Sequence, residues 1–125
     1  MVQAVLLDEV NGDEYPIQSP RWCSDTKSPL SISRLINFKV SQIDATQRSI
    51  WRYREAFPQI IENPVSLGEG CTPLVSNSYK GISGFFKLEW FSPSGSFKDR
   101  GASVMMSLIK QQNIKEVVED SSGNG

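Results

Sequence analysis

The chain has 125 residues, 38% of them apolar and 22% charged, a balance that excludes wholesale disorder and leaves room for one domain or a piece of a larger one. With 13 basic against 14 acidic side chains the net charge is -1, which argues against nucleic acid or an anionic membrane surface as a partner. Histidine is absent, so chemistry here must run on lysine, carboxylates, hydroxyls or a cofactor.

The first forty residues read as short strands and loops. A turn at Asn11-Gly12 joins an apolar run at Val5, Leu6 and Leu7 to the stretch near Tyr15 and Ile17, which predicts a hairpin, and Pro16 confines its second strand to an edge. The N-terminus turns acidic too soon for a secretory signal, and no apolar run approaches the ~20 residues that span a bilayer. A cytoplasmic protein without a membrane partner is the expectation. Cys23 and Cys71 are too few and too far apart for a disulfide framework or a metal-ligand set, so no bound metal is expected.

Over residues 41–57 the apolar positions Ile43, Ile50, Tyr53 and Phe57 share one helical face, and Pro58 ends the element. Residues 60–73 carry Pro64, Gly68, Gly70 and Pro73 and read as an ordered connector. A strand follows at 84–90, then a turn cluster at 92–96. Ala102, Met105, Met106, Leu108 and Ile109 mark the apolar face of a helix reaching about Gln112. Ser96 with Asp99 three positions on is similar to an N-terminal capping arrangement.

Residues 116–119 read as a second strand that runs into Ser121-Ser122-Gly123-Asn124. The class is therefore α/β, with a parallel strand–helix–strand unit over 84–120 and an incomplete sheet. The sequence stops where the next covering helix is due, so the chain reads as the N-terminal part of a longer protein with exposed apolar surface.

Ligands of open α/β sheets sit beyond the carboxyl ends of the strands. Two segments fall there, Ser94-Gly95-Ser96-Phe97-Lys98 and Ser121-Ser122-Gly123-Asn124. Lys98 lies in a helix-opening turn, where the backbone N–H groups and the positive helix end oppose an ammonium and suit an amine that attacks a carbonyl. A solvated surface lysine and a plain polar turn are the competing readings of the two segments. A nucleoside-triphosphate loop is excluded, because the GxxxxGK[ST] pattern is missing.

Four ordered segments carry a family resemblance: Leu67-Gly68-Glu69-Gly70-Cys71-Thr72-Pro73-Leu74, Lys87-Leu88-Glu89, Ser92-Pro93-Ser94-Gly95-Ser96-Phe97-Lys98-Asp99-Arg100-Gly101 and Glu119-Asp120-Ser121-Ser122-Gly123-Asn124. Together they resemble the N-terminal region of the threonine synthases, members of the tryptophan-synthase-β-like, fold-type II pyridoxal-phosphate enzymes. The likeness extends over about residues 49–125.

The resemblance implies pyridoxal 5'-phosphate as cofactor, with Lys98 as the residue that holds it covalently and moves protons. Asn124 matches the asparagine that hydrogen-bonds the cofactor ring, and Ser121, Ser122 and Gly123 match the loop that receives the substrate carboxylate. It implies O-phosphohomoserine as the small-molecule substrate, threonine and phosphate as products, and a homodimer at full length. Residues 41–125 would begin the catalytic domain, and 1–40 would be a degenerate remnant of the zinc ribbon that many relatives carry, with Cys23 left alone.

The family's phosphate-binding loop and the residue facing the pyridine nitrogen have no counterpart here, so this stretch alone is expected to be inactive. Threonine dehydratase and cysteine synthase share the same plan, and a non-catalytic scaffold is the reading from another class. Arg100 and the helix N-terminus near Lys98 are candidates for contact with a substrate phosphate.

Overall fold

The computed structural model describes residues 4–33 and 37–121. The chain divides into two compact units, residues 1–60 and 61–125.

In the first unit, β1 (Val5–Leu7), β2 (Glu14–Pro16) and β3 (Ser31–Ser33) form an antiparallel sheet in the order β2-β1-β3, with Val5 opposite Pro16 and Ser33. The expected hairpin is present. Gly12, at φ 83°, donates its N–H to Asp8 O over 2.8 Å, a left-handed position that glycine takes at no steric cost. Pro16 has no N–H to give a second neighbour, and β2 is indeed an edge. Among the described residues of this unit, Ala4, Ile17 and Trp51 are the buried apolar ones, and Trp51 meets Phe57 edge to face at 5.4 Å.

The turn after β1 and the loop before β3 are tied through a fully buried carboxylate. Asp8 accepts from Val10 N and Thr26 Oγ1, both at 2.9 Å, and Thr26 Oγ1 lies 2.9 Å from Ser24 Oγ. The Ser24 hydroxyl, ahead of the smaller opposing cost of burial, holds the Asp8 carboxyl below its ordinary range. Cys23 is a half-buried free thiol.

The helix expected over 41–57 is replaced by two 3₁₀ segments, Val40–Gln42 and Ile50–Ala56, the second interrupted by a non-helical Tyr53. Local side chains outcompete the helical ladder here. Asp44 Oδ1 accepts from both the N–H and the hydroxyl of Thr46, at 2.9 and 2.5 Å, and Ser49 Oγ caps Trp51 N at 3.3 Å. The element does stop before Pro58, with Phe57 extended.

In the second unit, β4 (Leu74–Tyr79) and β5 (Ile82–Lys87) form an antiparallel hairpin around Lys80-Gly81, both at positive φ. That is the two-residue turn whose twist matches the strands. The pairs Val75–Phe86 and Tyr79–Ile82 fall on one face, and all four residues are exposed. After a 3₁₀ turn at Glu89–Phe91, α1 spans Asp99–Gln111, close to its expected extent.

Two expectations are corrected. The parallel unit over 84–120 is not formed among the described residues: β5 pairs antiparallel with β4, and residues 114–121 carry no strand. The chain is α/β in content, with small antiparallel sheets. The buried face of α1 is also not the apolar one, since it buries Ser103 and Ser107 while Met105 and Met106 are exposed.

The second correction has a physical cause in the connector at 62–65, whose backbone groups need partners. Ser103 Oγ donates to Val65 O at 2.7 Å and Ser107 Oγ accepts from Val65 N at 2.8 Å. One turn further, Gln111 Oε1 accepts from Glu62 N at 3.1 Å. Residues at i, i+4 and i+8 thus supply a polar seam that a strand neighbour would otherwise provide.

Candidate active site

Lys98 immediately precedes α1 with helical backbone angles, φ -63° and ψ -21°. Its N–H donates to Ser96 Oγ at 3.2 Å and its carbonyl accepts from Ala102 N at 2.9 Å. The main chain is therefore held on both sides, while the side chain is exposed and its ammonium makes no ion pair or hydrogen bond among the described residues. The capping differs from expectation. Ser96 serves Lys98 N, and the Asp99 carboxylate reaches back to the Ser94 N–H at 2.8 Å and to the Ser94 hydroxyl. Those two bonds hold the Asp99 carboxyl below its ordinary range, and a negative charge in the first turn also suits the helix dipole.

Arg100 is bound on the other side of this turn. Its Nε donates to Glu89 Oε2 at 2.8 Å and its second amino nitrogen to Glu89 Oε1 at 2.9 Å, a fork-to-fork pair. Thr72 Oγ1 donates to Glu89 Oε1 at 2.7 Å and accepts from Arg100 at 3.1 Å, and Lys87 Nζ donates to Thr72 O. Three of the sequence motifs, around Thr72, Glu89 and Lys98, are joined by this triangle. Arg100 is accordingly engaged with a carboxylate, which counts against its expected part in phosphate contact.

The Arg100 hydrogen bonds, then the Thr72 hydroxyl, bring the Glu89 carboxyl down from 4.5 to about 2. A carboxyl depressed on folding adds stability that is fully present above its unfolded value and lost as pH falls through the folded one. Acid should therefore open the triangle between about pH 4.5 and pH 2. Carbon-detected titration of the glutamate carboxyls checks this, and a Glu89 midpoint at the ordinary glutamate value would contradict it.

Glu69 forms the second buried polar centre. It is 1% exposed and accepts from Leu67 N at 2.8 Å and from Ser66 Oγ at 3.0 and 3.1 Å. Burial pushes its carboxyl up, but hydrogen bonds led by the Ser103 hydroxyl outweigh that and leave it lowered. Glycines at positive φ flank it, Gly68 at 86° and Gly70 at 115°. Val65, Leu67, Ala102 and Met106, with Glu69 and Asp99, line a pocket of about 110 Å³ that Lys98 does not reach as a wall residue.

Of the residues expected at the site, the structure places Lys98 and Ser121. Ser121 is exposed in the irregular 114–121 segment and shares no hydrogen bond with Lys98. Ser122, Gly123 and Asn124 lie outside the described residues. Among the described residues no group of three or more His, Cys, Asp or Glu side chains is arranged to hold a metal, and no helix is long and apolar enough to cross a membrane.

Residues 65–125 match the model of the family described as pyridoxal-phosphate dependent enzyme. The likeness to that class read from the sequence is thus found by a second route, and the cofactor of the matched family is pyridoxal phosphate. Among curated relatives, the chain is similar to the threonine synthase of Halalkalibacterium halodurans, 37% identical over 86 residues, covering 61% of this chain and 24% of that one. It is similar also to the threonine synthase of Methanocaldococcus jannaschii, 40% identical over 97 residues, covering 71% and 24%. The serine racemase of Arabidopsis thaliana is 43% identical over 68 residues, covering 54% and 19%. The chain spans about a quarter of the length of these threonine synthases. No solved structure matches.

Pyridoxal phosphate attaches through an aldehyde, which needs a reachable lysine amine. Lys98 meets that requirement on the geometry above. The residues fit the cofactor at the one point where the described structure bears on it.

Proposed function

We propose that this chain is the N-terminal part of a threonine synthase-like enzyme that takes O-phosphohomoserine and water to threonine and phosphate. The observation that carries the reading is the family match across the turn in which Lys98 presents its exposed amine, together with the threonine synthases among the relatives. Bound pyridoxal phosphate supplies an electron sink for the electron pairs released at the substrate's α and β carbons.

In this reading the protein's own task is positioning and proton movement. Lys98 Nζ holds the cofactor and carries protons to and from the reacting carbons, which a lysine with no ion pair among the described residues is suited to do. Asn124 holds the cofactor ring, and Ser121, Ser122 and Gly123 receive the substrate carboxylate. With Arg100 committed to Glu89, the substrate's phosphate is met by residues beyond this stretch. Sheet neighbours supplied by the rest of the enzyme cover the exposed hairpin face. On this account residues 1–125 alone are inactive.

The test uses the natural polypeptide that contains this stretch. Phosphate release from O-phosphohomoserine and oxo-acid formation from threonine or serine are assayed on one preparation. Phosphate release with threonine as product, faster than any deamination, is expected. Efficient deamination or racemisation without phosphate release would move the protein toward the dehydratases and the serine racemase relative, and would leave the cofactor assignment in place.

A further inference from the structure

Lys98 is followed directly by two anchored residues. Asp99 is tied backward to Ser94, and Arg100 is tied to Glu89 and Thr72. Positions two apart on a helix do not face each other, so the Arg100 fork and the Lys98 side chain leave the opening turn of α1 in different directions. Glu89 belongs to the 3₁₀ turn after β5 and Thr72 to the connector before β4. Both points of attachment are therefore set by the β4–β5 hairpin, whose base is closed by Leu88 N donating to Pro73 O at 2.9 Å. The turn that carries Lys98 is joined to the hairpin by a bidentate pair and a hydroxyl, and Thr72 Oγ1 is the atom shared by both partners.

We propose that Glu89, Arg100 and Thr72 are positioning residues for Lys98, fixing where its amine stands relative to the aldehyde it must meet. The proposal rests on Lys98 being the cofactor lysine. None of the three touches the reacting atoms. Their effect is on the rate at which Lys98 is captured, since a misplacement of about 1 Å in a reacting group can cost a hundredfold.

The natural polypeptide, stripped of cofactor, is mixed with pyridoxal phosphate and quenched with borohydride at intervals, and pyridoxyl-peptides are quantified by mass spectrometry. Thr72→Val keeps the side-chain volume and removes the shared hydroxyl, Thr72→Ser restores a hydroxyl, and Arg100→Lys keeps the charge without the fork. Thr72→Val and Arg100→Lys should each slow capture at Lys98 about tenfold, with slow labelling of exposed Lys80 and Lys110 unchanged, and Thr72→Ser should recover most of the wild-type rate. A loss that reflects only weakened folding would alter the labelling of the control lysines as well. Thr72→Val keeps the test decisive should Arg100→Lys fail to fold. Wild-type capture at Lys98 with equal rates in the variants overturns the positioning role alone. Absence of wild-type capture at Lys98 overturns both this role and the cofactor assignment beneath it.

Discussion

Lys98→Ala in the natural polypeptide is expected to lower turnover of O-phosphohomoserine by at least about a hundred- to ten-thousandfold, the range associated with loss of a positioned proton-transfer group. Folding should hardly notice. The side chain is exposed and makes no bond among the described residues, and surface substitutions of that kind usually stay within about 0.5 kcal/mol. Steady-state kinetics and thermal unfolding on the same variant check both halves. An Ala variant that keeps more than a tenth of the activity would place the chemistry elsewhere.

Glu69→Ala should show the opposite pattern, with a large loss of stability. Its carboxylate is 1% exposed and is the acceptor for Leu67 N and the Ser66 hydroxyl, with Ser103 also drawn upon. Removing it leaves the part-buried Leu67 N–H and Ser66 hydroxyl without their acceptor and the buried carboxylate site unfilled, at about 1–3 kcal/mol. The loop also holds two glycines at positive φ on either side of Glu69, Gly68 and Gly70. Denaturant titration of Glu69→Ala against wild type should show a loss of about 3 kcal/mol, with Glu69→Gln intermediate because an amide keeps one acceptor oxygen. A loss within about 0.5 kcal/mol for Glu69→Ala would mean that the carboxylate is not the centre of the loop.

Local chemistry decided what could be read from the chain. The Asn11-Gly12 turn, the edge position of Pro16, the stop before Pro58 and the extent of α1 follow from backbone preferences of a few adjacent residues, and each is present. The helix expected over 41–57 was overridden by equally local groups, the Asp44–Thr46 and Ser49 hydrogen bonds, which periodicity counting does not weigh. For α1 the apolar pattern named the wrong face. The serines at 103 and 107 bury themselves because the connector's Val65 N–H and C=O must be paired, a demand that arises only in three dimensions.

At the candidate site, Lys98 stood out from its motif, whereas the hydrogen-bonded group of Glu89, Arg100 and Thr72 did not. Glu89 and Arg100 both lay in recognised segments but are 11 positions apart, and Thr72 is 28 positions from Arg100. Two strands, a 3₁₀ turn and a helix start lie between Thr72 and Arg100, so no single period links them. The signal available was composition alone: an acid closing Lys87-Leu88-Glu89 and a base two residues after the lysine. That Glu69 turns inward was likewise hidden, because a glutamate between two glycines reads as an exposed turn until the Ser66 and Ser103 hydroxyls are seen around it.

The central claim is that Lys98 carries pyridoxal phosphate, and the direct measurement is chemical. The natural polypeptide, isolated with its cofactor, is reduced with borohydride, digested and mapped. The account predicts one pyridoxyl group per chain on Lys98, in the Phe97-Lys98-Asp99 peptide. A label on Lys87 or Lys110, or none on the protein at all, would contradict it.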